Sequence, residues 1–330
     1  MAHQIRLVCL LLSAVLIVAG CTEQKEKRQA ELIQNDWLYQ LQNAEPEKIA
    51  DSGYTWAVLD PTGEGSEDTR YSRDEIAKMK ESGMTVLAYL SIGEASAYLA
   101  YWKKEWGAEK NGVLKVKEEA PLWLGREPNP SWPESINVRY WDEAWWKLLE
   151  PELAKIKEQG FSGVYLDIVD GYLYWGDAST FAKEQRLVED PATEEEAAKR
   201  MMDLVKRISS YMKKDEPNFQ VFPQNAETIL AYDDDGSYIN AIDGIGVEDL
   251  WFDEEQRQTD TEERLPYLKT IQNAGKTVLA ADYVASSDSK SEQEVIEYLK
   301  LCKEQKFQCL AAYHDRELAA LIPKERWSAD

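Results

Sequence analysis

The chain has 330 residues, 44% of them hydrophobic, and carries 61 Asp and Glu against 38 Lys and Arg, a formal charge of −23. That length suits one large domain or two ordinary ones, and the composition is that of a globular protein. With no basic patch to neutralise phosphates, nucleic acid is excluded as a partner. An acidic surface draws cations instead, a cationic polymer among them, although solubility alone accounts for most of such charge.

In chain order, Arg6 precedes an apolar run over residues 7–18, which ends in Ala19, Gly20 and Cys21. A positive start, a short apolar middle and small residues before a cysteine describe a bacterial secretion signal. The position of Cys21 at the end of that run, with a polar stretch after it, favours a lipobox over an ordinary signal peptide or a membrane anchor. The expected layout is a signal over residues 1–20, a polar tether over 21–30 with Cys21 lipidated, and a single domain over 31–330. The protein is then exported and held at a bacterial membrane or cell surface by its N-terminal lipid alone, as a monomer. Loss of residues 1–20 removes Arg6 and no acid, which takes the charge to −24.

A short aromatic strand is expected at residues 37–41 and a glycine-ended helix at 46–53. A second strand over 55–60 ends in Asp60. Ser72, with Glu75 three residues on, reads as the capped start of a helix running to Gly83. The third strand, 85–94, ends in Glu94. Residues 96–140 carry no long helical period but hold four tryptophans and repeated prolines, a Trp/Pro-rich insertion of the kind that is usually functional. A helix from about 142 to 159 is interrupted by Pro151, which splits or kinks it. Strand four follows, an apolar run from Gly163 to Asp167, then an aromatic loop with Tyr172, Tyr174 and Trp175. A long amphipathic helix spans about 193–212. Strands five to eight fall at 219–227, 243–248, 277–282 and 308–313, with helices at 261–274 and 291–305 and a short helix at the end. Eight βα units in ~300 residues fit a (β/α)8 TIM barrel. A doubly wound open sheet is the runner-up, without a Gly-rich loop after the first strand to support it.

Cys302 and Cys309 join the last long helix to strand eight, either as a disulfide or as two buried thiols. His314 is the single histidine outside the signal and there is no CxxC pair, so a zinc site built on His and Cys is excluded. No EF-hand spacing is present, and neither a metal nor a cofactor is expected.

Seven of the eight strands carry an acid at or just past the C-terminal end: Asp60, Glu94, Asp167, Glu227, Glu248, Asp282 and Asp315. In a barrel these converge on one mouth, where crowded acids must be paired, protonated or offset by a cation. Helix capping accounts for some of them, but poorly for Asp167 and Glu248, which apolar and aromatic residues follow. Paired carboxylates with aromatic faces around them are the machinery of glycoside hydrolysis. Several of the tryptophans between Trp102 and Trp146 belong to the core, Trp145 above all.

Four ordered motifs, VLAYLSIGEA at 86–95, VRYWD at 138–142, GFSGVYLDIVDGY at 160–172 and QNAE at 224–227, resemble the bacterial branch of the endo-α-1,4-polygalactosaminidase-like proteins, glycoside hydrolase family 114. The resemblance implies a (β/α)8 barrel acting on cationic, partly deacetylated α-linked galactosamine polymers. It implies a catalytic pair on Asp167 and Glu248. Chitinase-like chemistry would need a glutamate where Val169 stands. Around the pair, Glu94, Asp170, Asn225 and Asp282 are expected to bind sugar hydroxyls and any free amine. Tyr89, Tyr172, Tyr283 and Tyr313 shape the subsites, and Asp60 and Trp251 complete the substrate-binding set. The rival reading is a lipoprotein that binds sugar or a cationic polymer on a barrel scaffold without cleaving it.

Overall fold

A computed structural model describes residues 34–63, 66–111, 113–253, 256–286, 292–324 and 326–327. The expected signal, the lipid site Cys21 and the tether lie outside the described residues. Eight parallel strands form the centre. Strands β1 (Leu38–Gln40), β2 (Trp56–Leu59), β3 (Thr85–Ser91), β9 (Gly163–Asp167) and β10 (Gln220–Pro223) make one sheet in the order β1-β2-β3-β9-β10. Strands β11 (Gly244–Glu248), β14 (Thr277–Ala285) and β15 (Gln308–Tyr313) make a second, in the order β11-β14-β15. One parallel bridge, Gln224 to Gly246, links the two sheets on one side. On the other, the Asp36 N–H donates to the Cys309 carbonyl at 2.7 Å.

The strands read as nearly unbroken apolar runs because both of their faces are buried. One face meets the helices. The other fills a single cluster drawn from both sheets: Trp37, Tyr39, Val58, Leu87, Tyr165, Phe222, Leu279, Tyr283 and Leu310 among others. Strand β11 sends no side chain there. It has glycines at 244 and 246, and a Cβ at these positions would overlap the Phe222 ring and the Tyr165 hydroxyl.

The helices follow their end signals. In α2 (Arg73–Glu81) the Ser72 side chain accepts from the Glu75 N–H while Glu75 reaches back to the Ser72 N–H, the expected reciprocal cap. In α3 (Glu143–Gln159), capped by Asp142 and ended by Gly160 at φ 83°, the helix runs unbroken through Pro151 instead of splitting there. α5 (Glu194–Lys213) is capped by Thr193 and buries Met201, Val205, Ile208 and Met212. α7 (Thr261–Asn273) and α8 (Glu292–Glu304) flank β14. The shorter α1 (Pro46–Ala50), α4 (Gly171–Gly176) and α6 (Ser237–Ala241) complete the set.

Two further sequence expectations need correction, one open alternative is decided, and the long connection takes a definite form. The connection after β3 is built of short antiparallel strands: β4 (Glu94–Ser96), β7 (Leu124–Pro128) and β8 (Ser135–Val138) in one sheet, β5 (Gly107–Lys110) and β6 (Val113–Val116) in another. Strands this short and proline-flanked leave no period to read. The aromatic loop after Asp167 is the helix α4, and a minor antiparallel pair, β12 (Phe252–Asp253) with β13 (Gln256–Arg257), follows β11. No helix follows β15 among the described residues. Cys302 and Cys309 are joined as a disulfide with 6.0 Å between their Cα atoms, fastening α8 to β15.

Candidate active site

Asp167 ends β9, and the chain turns sharply after it. Ile168 sits at φ 55°, a left-handed conformation that a β-branched residue adopts only under constraint. Gly93 makes room for that turn, since a Cβ on it would overlap the Ile168 carbonyl. The turn folds the Ile168 N–H back onto Asp167 Oδ1 at 2.8 Å, while the Tyr89 hydroxyl, from β3, donates to Oδ2. The acid is therefore fixed from two sides.

Glu248 ends β11 in the same manner. Asn225 (φ 55°) and Asp249 (φ 47°) are also left-handed, one just after β10 and one just after β11. Asn225 accepts the Glu248 N–H at 2.8 Å and donates its amide to Oε2 at 2.7 Å. Gln224 Nε2 also donates to Oε2, and its own Oε1 accepts the Tyr39 hydroxyl at 3.2 Å. The Tyr283 hydroxyl donates to Oε1. Arg264 grips the backbone from outside: it donates to the Glu248 and Asp249 carbonyls at 3.2 and 3.0 Å and pairs with buried Glu227. One oxygen of Glu227 is thus held in a structural ion pair, while its Oε2, also buried, has no hydrogen-bond partner. Arg316 lies 4.1 Å from the centre of the Tyr283 ring and pairs with Asp249 at 2.8 Å and Asp253 at 2.7 Å.

Four carboxylates lie within one another's fields. Burial raises Asp167 above the usual aspartate range. Burial and then the Asp167 charge raise Glu248, against opposing hydrogen bonds from Tyr283 and Asn225 and the charge of Arg316. Glu94, 5% exposed, is pushed up to about 7, chiefly by burial, with Asp167 adding to it and the Asn129 amide at 2.8 Å opposing. Asp170 is pushed up to about 8, by burial first and then by Asp167, Glu94 and Glu248. It holds the N-cap position of α4 but makes no side-chain cap bond, so capping does not explain it.

These shifts predict a pH dependence. Acids raised in the folded state bind protons more tightly there than in the unfolded chain, so stability falls as pH rises from ~4 through the folded values. Those values are about 7 for Glu94, 8 for Asp170, 6 for Asp249 and 7 for Asp282. Calorimetry should find a higher Tm at pH 5 than at pH 8. Asp170→Asn should raise Tm by ~5 °C at pH 8 and change it little at pH 4. An unchanged Tm at pH 8 would remove Asp170 from the strained set.

Of the expected site residues, Asp167, Glu248, Tyr89, Glu94, Asp170, Asn225 and Tyr283 come together. The others do not. Asp282 is 0% exposed, and its two oxygens accept the backbone N–H groups of Leu250, Trp251 and Phe252, each at 2.9 Å. Closed off from solvent, the side chain shapes the turn after Glu248. Trp251 is buried against Tyr298 and Phe307 and offers no free ring face. Tyr172 is buried in the core with its hydroxyl on Thr228 at 2.8 Å. Asp60 is half-buried and holds its own turn through the N–H and hydroxyl of Thr62. Tyr313 lines a small cavity with Leu38, Tyr39, Leu318 and Ala320. Sequence reasoning missed Gln224, Arg264 and Arg316. Gln224 stands beside Asn225 in a motif already singled out, and the need of a buried acid for donors was the available signal. Among the described residues, no group of three or more His, Cys, Asp and Glu side chains is arranged to hold a metal ion.

The fold is one that glycoside hydrolases use. Similar solved structures include the glycoside hydrolase domain of PelA from Pseudomonas aeruginosa, 16% identical with a TM-score of 0.59 over 88% of this chain and 98% of that one. Aspergillus fumigatus Ega3, in complex with galactosamine, is 14% identical with a TM-score of 0.58 over 87% and 94%. In sequence, residues 20–325 match glycoside-hydrolase family GH114, and the chain belongs to that family. It is also 38% identical over 290 residues to an uncharacterized protein of Methanocaldococcus jannaschii, covering 86% of this chain and 77% of the relative. An uncharacterized protein of Thermotoga maritima is 31% identical over 322 residues, covering 96% and 93%.

Proposed function

We propose that this chain is a lipid-tethered glycoside hydrolase that cleaves an α-linked, cationic amino-sugar polymer of the polygalactosamine kind. The carrying observation is the cluster of Glu94, Asp167, Asp170 and Glu248, with Asp167 and Glu248 at the ends of β9 and β11 and a tyrosine hydroxyl on each. Glu248, raised by burial and by its neighbour's charge, is the general acid. It gives its proton to the glycosidic oxygen as the C–O bond breaks. Asp167, ionised, attacks the anomeric carbon or takes a proton from the attacking water. Water supplies the hydroxyl left on the sugar and returns the proton to the carboxyl pair. A free amine on the sugar would enter as a cation among acids that otherwise repel one another, which favours a deacetylated polymer. The galactosamine bound to Ega3 agrees with that choice.

The two parallel sheets are read as one closed (β/α)8 barrel. Support comes from the Gln224–Gly246 bridge, the Asp36–Cys309 hydrogen bond and the single inner cluster drawn from both sheets. Residues 31–330 form that one domain, with signal, Cys21 and tether ahead of it, and the protein works as a monomer outside the cell. The disulfide suits an oxidising compartment.

The test is to follow the size and reducing ends of α-1,4-galactosamine polymers of graded acetylation. Cleavage is expected to favour deacetylated chains and to slow as salt screens the −24 charge of the chain without residues 1–20. Intact polymer at every degree of acetylation would overturn the proposal.

A further inference from the structure

Most of the tryptophans between 102 and 146 pack against one another, edge to face or tilted. Trp102, Trp106, Trp123 and Trp145 form a continuous ladder with centroids 5.6, 5.3 and 5.2 Å apart. Trp146 is covered by the Arg207 guanidinium at 4.0 Å and Trp141 by that of Arg200 at 5.1 Å. Trp132 differs. It is 49% exposed, whereas the other tryptophans are all buried or half-buried. Tyr98, 59% exposed, is also open.

Both lie at the same end of the β4–β8 pair. That pairing runs from Glu94–Asn137 to Ser96–Ser135, and the Ala97 N–H extends it to the Glu134 carbonyl at 3.0 Å. Tyr98 is the next residue on one strand, and on the other the Trp132 carbonyl accepts the Ser135 N–H at 2.8 Å. A single side chain ties this end to the carboxylates. Asn129 Oδ1 accepts the N–H groups of Ser131 and Trp132 at 2.9 and 3.3 Å, and its Nδ2 donates to Glu94 Oε1 at 2.8 Å. The Tyr98 hydroxyl lies within the fields of Asp60, Glu134 and Asp167. Asn129 therefore registers the Trp132 backbone to Glu94, and Tyr98 follows directly on the strand paired at that same end.

We propose that Trp132 and Tyr98 are an aromatic platform on which a pyranose ring of the polymer stacks, one or more units from the bond that is cut. Asn129 is its positioning residue. A pyranose presents a face of C–H bonds, which suits an aromatic face, and its hydroxyls stay at the rim in water. The inference deepens the hydrolase reading and rests on it for the class of ligand.

The experiment is affinity electrophoresis through gels containing partly deacetylated α-1,4-galactosamine polymer, run beside a reducing-end assay. Trp132→Ala and Tyr98→Ala should each weaken retardation by about 3- to 10-fold. They should raise KM for long chains with kcat unchanged, because binding away from the reacting bond is shared by ground and transition states. Trp132→Phe should restore most of the loss, and Asn129→Ala should reproduce part of it. Exposed positions make misfolding a small concern, and an unchanged Tm checks it. Native retardation in both alanine variants, or no retardation of the wild type, overturns the platform. Retardation that depends on Trp132 with no released ends supports the platform and sinks the hydrolase reading alone.

Discussion

Asp167→Asn and Glu248→Gln are each expected to cut turnover of galactosamine polymer by about 1,000-fold or more, with the fold intact. General acid catalysis alone contributes ~10²–10⁴-fold. The two sites differ in what remains after substitution. Glu248→Gln keeps the acceptor for Tyr283 and the volume, but has no proton to give. Asp167→Asn keeps the acceptor for the Ile168 N–H and loses the nucleophile. The double variant should be little worse than either single one, because the two groups act in one step. The pH profile separates them. Glu248 is raised by burial and by Asp167, and the alkaline limb of kcat/KM reports its loss of a proton. That limb should vanish in Glu248→Gln. Arg316, whose charge opposes the rise of Glu248, tunes the same limb: Arg316→Gln should move it to higher pH. Full activity in both amide variants would remove the pair from the chemistry.

The sequence was most legible where burial on both faces leaves nothing but apolar residues. All eight central strands were readable for that reason, and an acid stood out at seven of their ends. What an acid does at a strand end was not readable. Asp282 and Glu248 look alike in sequence, yet one spends its oxygens on three backbone N–H groups while the other is held by side-chain amides and a tyrosine. The difference lies in where the chain goes next, and it is made by contacts between residues far apart in the chain. Trp251 misled in the same way, because a ring beside a catalytic candidate reads as a platform until Tyr298 and Phe307 are found on it. Gln224, Arg264 and Arg316 carry no periodicity. The first is a neutral amide at a strand end, and the others become site residues only when α7 and the segment after β15 fold against β11. The short antiparallel strands between Glu94 and Val138 are set by pairing with one another, and their own residues have no alternation long enough to show it.

The second large effect is expected far from any proton. Strand β11 carries glycine at 244 and 246, where the other strands send side chains inward, and Tyr165 and Phe222 occupy the space. Gly246→Ala would drive a methyl into the Tyr165 hydroxyl and ring. Tyr165 is 0% exposed and packs 6.3 Å from Trp37 and 5.4 Å from Tyr39, centroid to centroid, so it has nowhere to retreat. Overpacking of a full core costs ~1–3 kcal/mol and sometimes more, and this site stands at the upper end because a ring rather than a flexible tail must move. The damage reaches the chemistry, since Tyr39 orients Gln224, Gln224 donates to Glu248, and Glu248 lies two residues beyond the new methyl. Urea unfolding should report a loss of ~3 kcal/mol, with activity falling further than stability. The pairing gives a decisive check. Tyr165→Phe removes a hydroxyl that has no partner but leaves the ring in the way, so it should rescue Gly246→Ala only slightly. Tyr165→Leu removes the ring edge and costs stability on its own. Combined with Gly246→Ala it should cost much less, a coupling of ~1–3 kcal/mol in the double-mutant cycle. Additive losses would mean that Gly246 serves the backbone of β11 and not the ring it faces.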